Sequence, residues 1–107
     1  MPYSIDQFTQ ELKRGTLTIA VLKMLEKRHY GYSLKKSLME RNFEIEESTL
    51  YPMLRRLEKQ GLISSVWEIE ENRPRKYYLL NDEGRNLLIG LIKEYNHLSI
   101  AVKNIIS

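Results

Sequence analysis

Between Glu47 and Leu80 the chain changes periodicity once, from helical to extended, and no other feature restricts the fold as much. Leu50, Met53, Leu54 and Leu57 recur at helical spacing and share one face of a wheel, with Gly61 as a stop. Ser48 is the expected N-cap, because its hydroxyl can accept from an unpaired backbone N–H. Pro52 falls in or near the first turn, where a missing N–H costs least. From Leu62 to Ile69, and again from Arg75 to Leu80, β-branched and aromatic residues dominate, and the link Glu70–Pro74 is wholly polar. This pattern predicts a hairpin with its tip near Asn72, Arg73 and Pro74. A lone hairpin is marginal in water, so it must pack on helices, and Val66, Trp67 and Leu79 are the candidates for that inner contact.

Helical stripes flank this core segment. Ile5, Phe8 and Leu12 form one, and Leu17, Val21, Met24 and Leu25 a second, widened by Ile19 and Leu22. Together they predict one helical region from about Ile5 to Lys27, with Gly15 as a candidate bend. A further helix, about Tyr32 to Arg41, turns Leu34 and Leu38 inward and Lys35 and Lys36 outward. Asn81 caps a last helix whose first turn holds Asp82 and Glu83, charges that the helix dipole favours. Along it Leu88, Leu91, Tyr95, Leu98, Val102 and Ile105 keep an unbroken 3-then-4 spacing, a heptad seam. A domain of 107 residues has too little core to cover so apolar a terminal helix, so a second copy of that helix is the expected cover.

Several classes of function are excluded. The absence of cysteine removes disulfides, thiolate zinc sites and thiol catalysis, and fits a cytoplasmic protein. No apolar run reaches the ~20 residues of a membrane span, and the opening residues lack the basic-then-apolar layout of a signal peptide. His29 and His97 are far apart, so no metal site is expected. No nucleophile motif, phosphate loop or carboxylate pair offers a foothold for catalysis, and no cofactor is expected.

Charge placement carries more than charge total. A net +3 from 17 basic and 14 acidic residues is mild. The basic residues, however, gather at Arg55, Arg56 and Lys59 and at Arg73, Arg75 and Lys76, while acids gather at Glu44, Glu46 and Glu47 and at Glu68, Glu70 and Glu71. A helix followed by a ribbon, each with its own positive cluster, is the pattern of a winged helix-turn-helix. The expected fold is therefore mainly α with a two-stranded β-wing. Residues 1–80 would form the winged helix-turn-helix with its N-terminal helix, and residues 81–107 a C-terminal dimerisation helix.

On that fold Ser48, Thr49, Tyr51, Pro52 and Arg55 would face the major groove of double-stranded DNA, and Lys59 its backbone. Arg73, Arg75 and Lys76 would reach phosphate or the minor groove. One of Tyr77 and Tyr78 should be core and the other could touch phosphate, without the sequence deciding which. Tyr32, Lys35 and Lys36 would meet phosphate from the preceding helix, or else form a solvated face. Tyr95 is expected to pack in the dimer seam; the alternative makes Tyr95 and Trp67 walls of a pocket for a small aromatic effector. A protein-interaction winged helix and a small-molecule carrier without DNA coupling are the rival functions.

The chain also resembles the PadR family of transcriptional regulators. The resemblance rests on Gly15-Thr16-Leu17, Gly31-Tyr32, Thr49-Leu50-Tyr51-Pro52, Leu54, Arg56-Leu57-Glu58, Gly61-Leu62, Trp67, Arg75-Lys76-Tyr77-Tyr78, Leu80 and Gly84. It runs in order from about Gly15 onward. It implies a winged-helix dimer that represses transcription, often of a gene near its own, with the last helix and the first forming the dimer interface. The short stretch after Tyr78 is similar to the small-type members, which have a single C-terminal helix, and in some of which an effector binds between subunits. Two positions depart from the family's pattern. The tip Asn72-Arg73-Pro74-Arg75 lacks the glycines many members have, and Tyr30 stands where many have His.

Overall fold

The computed structural model describes residues 2–107. Helix α1 (Ile5–Met24) runs continuously through Gly15 and closes with the Leu25 N–H on the Val21 carbonyl at 3.0 Å. A two-residue strand β1 (His29–Tyr30) leads into α2 (Gly31–Glu40), and α3 (Glu47–Lys59) follows. Strands β2 (Ile63–Glu70) and β3 (Arg73–Leu80) form the hairpin, and α4 (Asp82–Ile106) ends the chain. The fold is mainly helical, with a three-stranded antiparallel sheet in the order β1-β3-β2. Strand β1, too short for any periodicity to show, pairs His29 with Tyr78 and Tyr30 with Tyr77 and so broadens the base of the expected wing.

Leucine from every helix fills the centre: Leu17 and Leu22 of α1 with Leu25 at its C-cap, Leu34 and Leu38 of α2, Leu50, Leu54 and Leu57 of α3, and Leu88 of α4. The sheet adds Ile63, Tyr78 and Leu80. Tyr78 is thus the core tyrosine, and Tyr77 lies on the other face. The inner row differs from the one expected. Val66, Trp67 and Leu79 are all exposed, Trp67 by 66%. Trp67 shares a face with Ile63, but it lies two pleats further out, where the hairpin has left the helices behind; Val66 and Leu79 point to the opposite face.

Two boundaries also shift. Glu46, and not Ser48, is the N-cap of α3, which puts Ser48 inside the first turn and Pro52 sixth in the helix. Pro52 therefore has no N–H to offer the Ser48 carbonyl, on the exposed side where solvent can satisfy it. The hairpin turn is Glu71–Asn72, with φ of 51° and 63°, and Arg73 and Pro74 already belong to β3 opposite Glu70 and Ile69. Positive φ at both central positions marks a type I′ turn, a conformation that proline cannot adopt and Asn tolerates. At the other end of β2, Gly61 takes φ of 77° and ends α3 as its spacing predicts.

Asn81 joins the two halves of the fold. Its side-chain carbonyl accepts from the Gly84 N–H at 2.9 Å, capping α4, while its amide donates to the Gly61 carbonyl at 2.8 Å. The start of α4 is thereby tied to the end of α3. No helix among the described residues is long and apolar enough to cross a membrane.

Candidate nucleic-acid interface

Helix α3 has one anchored side and one free side. Leu50, Met53, Leu54 and Leu57 are buried, and Ser48, Pro52, Arg55 and Lys59 are exposed on the opposite face. Thr49 and Arg56 are exposed along one flank. On the other flank the half-buried Tyr51 ring lies against Gly31, a position where any Cβ would collide with it. Any larger residue at the start of α2 would have to displace the Tyr51 ring. Burial, and next the nearby Glu47 charge, raise the Tyr51 hydroxyl above its ordinary pKa, so it remains a donor at neutral pH.

The start of α2 is built around one hydroxyl. Ser33 Oγ accepts from the Tyr30 N–H at 3.1 Å and donates to the Tyr30 carbonyl at 3.0 Å, with His29 Nδ1 3.0 Å away. Beyond it Tyr32 and Lys36 are exposed, and Lys35 is half-buried, 3.7 Å from Glu47.

The wing cations divide into two groups. Arg73, next to the turn, is exposed and has no ion pair among the described residues. Arg75 lies 3.4 Å from Glu70 and 4.5 Å over the Tyr30 ring, and Lys76 donates to Glu58 at 3.1 Å. The sequence alone puts Arg75 and Lys76 among the expected DNA contacts and does not reveal these partners. The contacts that hold the wing to the body are not foreseen from the sequence either. Arg28 donates to both Glu68 oxygens, at 2.7 and 2.6 Å, while its guanidinium covers the Tyr77 ring at 4.0 Å. Tyr77 donates to Glu70 at 2.7 Å and meets Tyr30 edge-on at 5.5 Å. The only sequence signal for these was an acidic residue inside a basic run, at Glu58, and acids alternating along β2.

The heptad seam also divides. Leu88 is 3% exposed and Leu91 packs beside it, both in the core of their own chain. Tyr95, Leu98, Val102 and Ile105 stay exposed, Ile105 by 82%. Ile5, Phe8 and Leu12 are exposed on α1 as well. Trp67 and Tyr95 stand on separate elements, the wing and α4, and both are open to solvent within one chain.

A winged helix whose exposed helix face carries unpaired cations, beside a wing tipped by another, defines a DNA-binding module. Residues 21–89 match the transcriptional regulator PadR-like family, and the chain belongs to it. It is a DNA-binding transcription regulator and not an enzyme. A crystal structure of a PadR family transcriptional regulator from Eggerthella lenta is 40% identical, covers 96% of this chain and 88% of that one, and superposes with a TM-score of 0.86. An uncharacterized protein from Lysinibacillus sphaericus is 34% identical over 79% of this chain and 83% of its own length. A transcriptional regulator from Mycobacterium tuberculosis is 29% identical over 74% of this chain and 75% of its own.

Proposed function

We propose that the protein is a repressor acting in the cytoplasm as a homodimer on a palindromic operator. Residues 1–80 bind DNA and residues 81–107 hold the two subunits together. The observation that carries this reading is the free face of α3: Ser48, Pro52, Arg55 and Lys59 exposed on a helix whose other face is fully anchored. Thr49 and Tyr51 flank the groove contacts, Tyr32, Lys35 and Lys36 meet phosphate, and Arg73 extends the contact from the wing. Tyr95, Leu98, Val102 and Ile105 form the dimer contact with exposed residues of α1. Two copies of α3 then enter successive major grooves, so half-sites lie about one helical turn apart.

A small aromatic effector would bind between subunits against Tyr95 and Trp67, and would act by changing the spacing of the two α3 helices. Titrating Trp67 fluorescence with planar drugs and phenolic acids tests this. A saturable change supports the site, and none with any compound removes it. DNA binding itself is tested by fluorescence anisotropy with the duplex upstream of the protein's own gene against a shuffled duplex over a salt series. Tight binding that weakens with salt and keeps its preference is expected. Weak and equal binding to both would favour a winged helix that contacts another protein.

A further inference from the structure

Beyond Tyr78 the wing stands clear of α3, yet on the face turned to that helix one side chain spans the gap. Glu58, in the last turn of α3, accepts a hydrogen bond from the Ser65 hydroxyl of β2 and another from the Lys76 ammonium of β3. A single carboxylate thus holds both strands of the wing from the helix beside which the wing must work. Ser65 and Lys76 lie on the sheet face that also carries Ile63 and Tyr78, the face turned to α3. Lys76 lies 5.3 Å from the Tyr78 ring, and both members of the ion pair are about two-thirds shielded, so water competes for them less than at an open surface pair.

We infer that Glu58 is a positioning residue that fixes the angle of the wing to the recognition helix, and that Lys76 is its counter-ion and not a phosphate contact. This rests on the DNA-binding reading of α3 above. To reach a phosphate, Lys76 would have to leave Glu58 with Ser65 as its one remaining partner. Glu58 is ionised at neutral pH: the Ser65 bond first, and the Lys76 bond after it, hold its carboxyl below the ordinary range. Arg73 lies nearer the tip and has no such tie, so it is the wing cation free to meet DNA.

Salt dependence separates a strut from a phosphate contact. Each phosphate neutralised adds roughly 0.9 to the slope of log K against log salt. The slope is measured on the duplex upstream of the protein's own gene, with Glu44→Ala as the control for loss of a distant acid. Lys76→Met is expected to leave the slope unchanged in the native background. Glu58→Ala frees Lys76, so the slope steepens by about 0.9, and the preference for the upstream duplex over a shuffled one falls. Adding Lys76→Met to Glu58→Ala removes that increment.

A second readout needs no DNA. Trp67 is the only tryptophan and pairs directly with Lys76 across the strands. Its anisotropy decay should quicken in Glu58→Ala, while Glu58→Gln, which still accepts from Ser65, restores part of the slow component. If Glu58→Ala does not fold, Glu58→Gln and Lys76→Met carry the test. A slope that flattens by about 0.9 in Lys76→Met alone would overturn the inference, as would Trp67 decays unchanged in every variant. Native protein that binds neither duplex would defeat the DNA reading, and the Trp67 decays alone would then decide the strut.

Discussion

Arg55 and Arg75 show how the same residue type acquires different work from its surroundings. Arg55 stands on the free face of α3 with no ion pair among the described residues, so nothing in the chain competes for its guanidinium. Arg55→Ala should weaken specific binding by roughly 1–3 kcal/mol and relax the preference at one base position. Competition with single-base variants of the operator reads this, and unchanged affinity and preference would remove Arg55 from the readout. Arg75, in contrast, is held by Glu70 and the Tyr30 ring. His29 gives a prediction in pH. Burial, followed by the Arg41 and Lys27 charges, lowers its pKa, so the folded state takes up a proton less readily than the unfolded chain. Stability is therefore full above the ordinary histidine value of about 6.5 and declines as pH falls below it, until the folded-state pKa is passed. Denaturant midpoints should drop between about pH 7.5 and 5.5, and His29→Asn should lessen that drop. Equal declines in both proteins would refute the assignment.

At the scale of elements, the wing turn is the place where local chemistry and structure disagree. Glu71 occupies the left-handed region without the short side chain that makes it tolerable for Asn. Glu71→Asn should stabilise the protein by roughly 0.5–1 kcal/mol, a rise of a few degrees in Tm, with DNA affinity unchanged. A lower Tm would show that Glu71 makes a contact worth more than its strain. The contrast with α3 and α4 explains what was legible in the sequence. Leu50 to Leu57 declare their helix because one buried face imposes a period on the residues themselves, and in α4 the same spacing runs on from the buried Leu88 into an exposed stripe. Strand β1 is two residues long and has no period to show. Val66, Trp67 and Leu79 obey the strand pattern, but which sheet face the helices cover, and how far the hairpin outruns them at Trp67, is written in no local spacing. The free face of α3 was readable for the same reason as its core face. The partners of Arg75 and Lys76 were not: Glu58 lies 18 residues from Lys76, and only the folded hairpin brings them together.

At the scale of the molecule, the apolar residues of α4 divide into a buried group and an exposed one. The early part of the helix, through Leu88, belongs to the core of its own chain, while Tyr95, Leu98, Val102 and Ile105 remain open together with Ile5, Phe8 and Leu12 of α1. So many exposed apolar side chains on two helices are more than a soluble monomer ordinarily leaves uncovered. The two groups predict opposite failures. Leu98→Asp puts a charge into the proposed inter-subunit contact without touching the chain's own core, so each subunit should keep its helical circular dichroism and sediment as a monomer. Specific DNA binding should then fall far more than in Arg55→Ala, because a monomer offers one recognition helix where the operator presents two half-sites. Leu88→Asp puts the same charge into a site that is 3% exposed, and it should unfold the subunit itself, since a buried unpaired carboxylate costs several kcal/mol. An intact Leu98→Asp dimer would place the contact elsewhere on the molecule. A folded, monomeric Leu88→Asp would show that Leu88 serves the partner and not its own core.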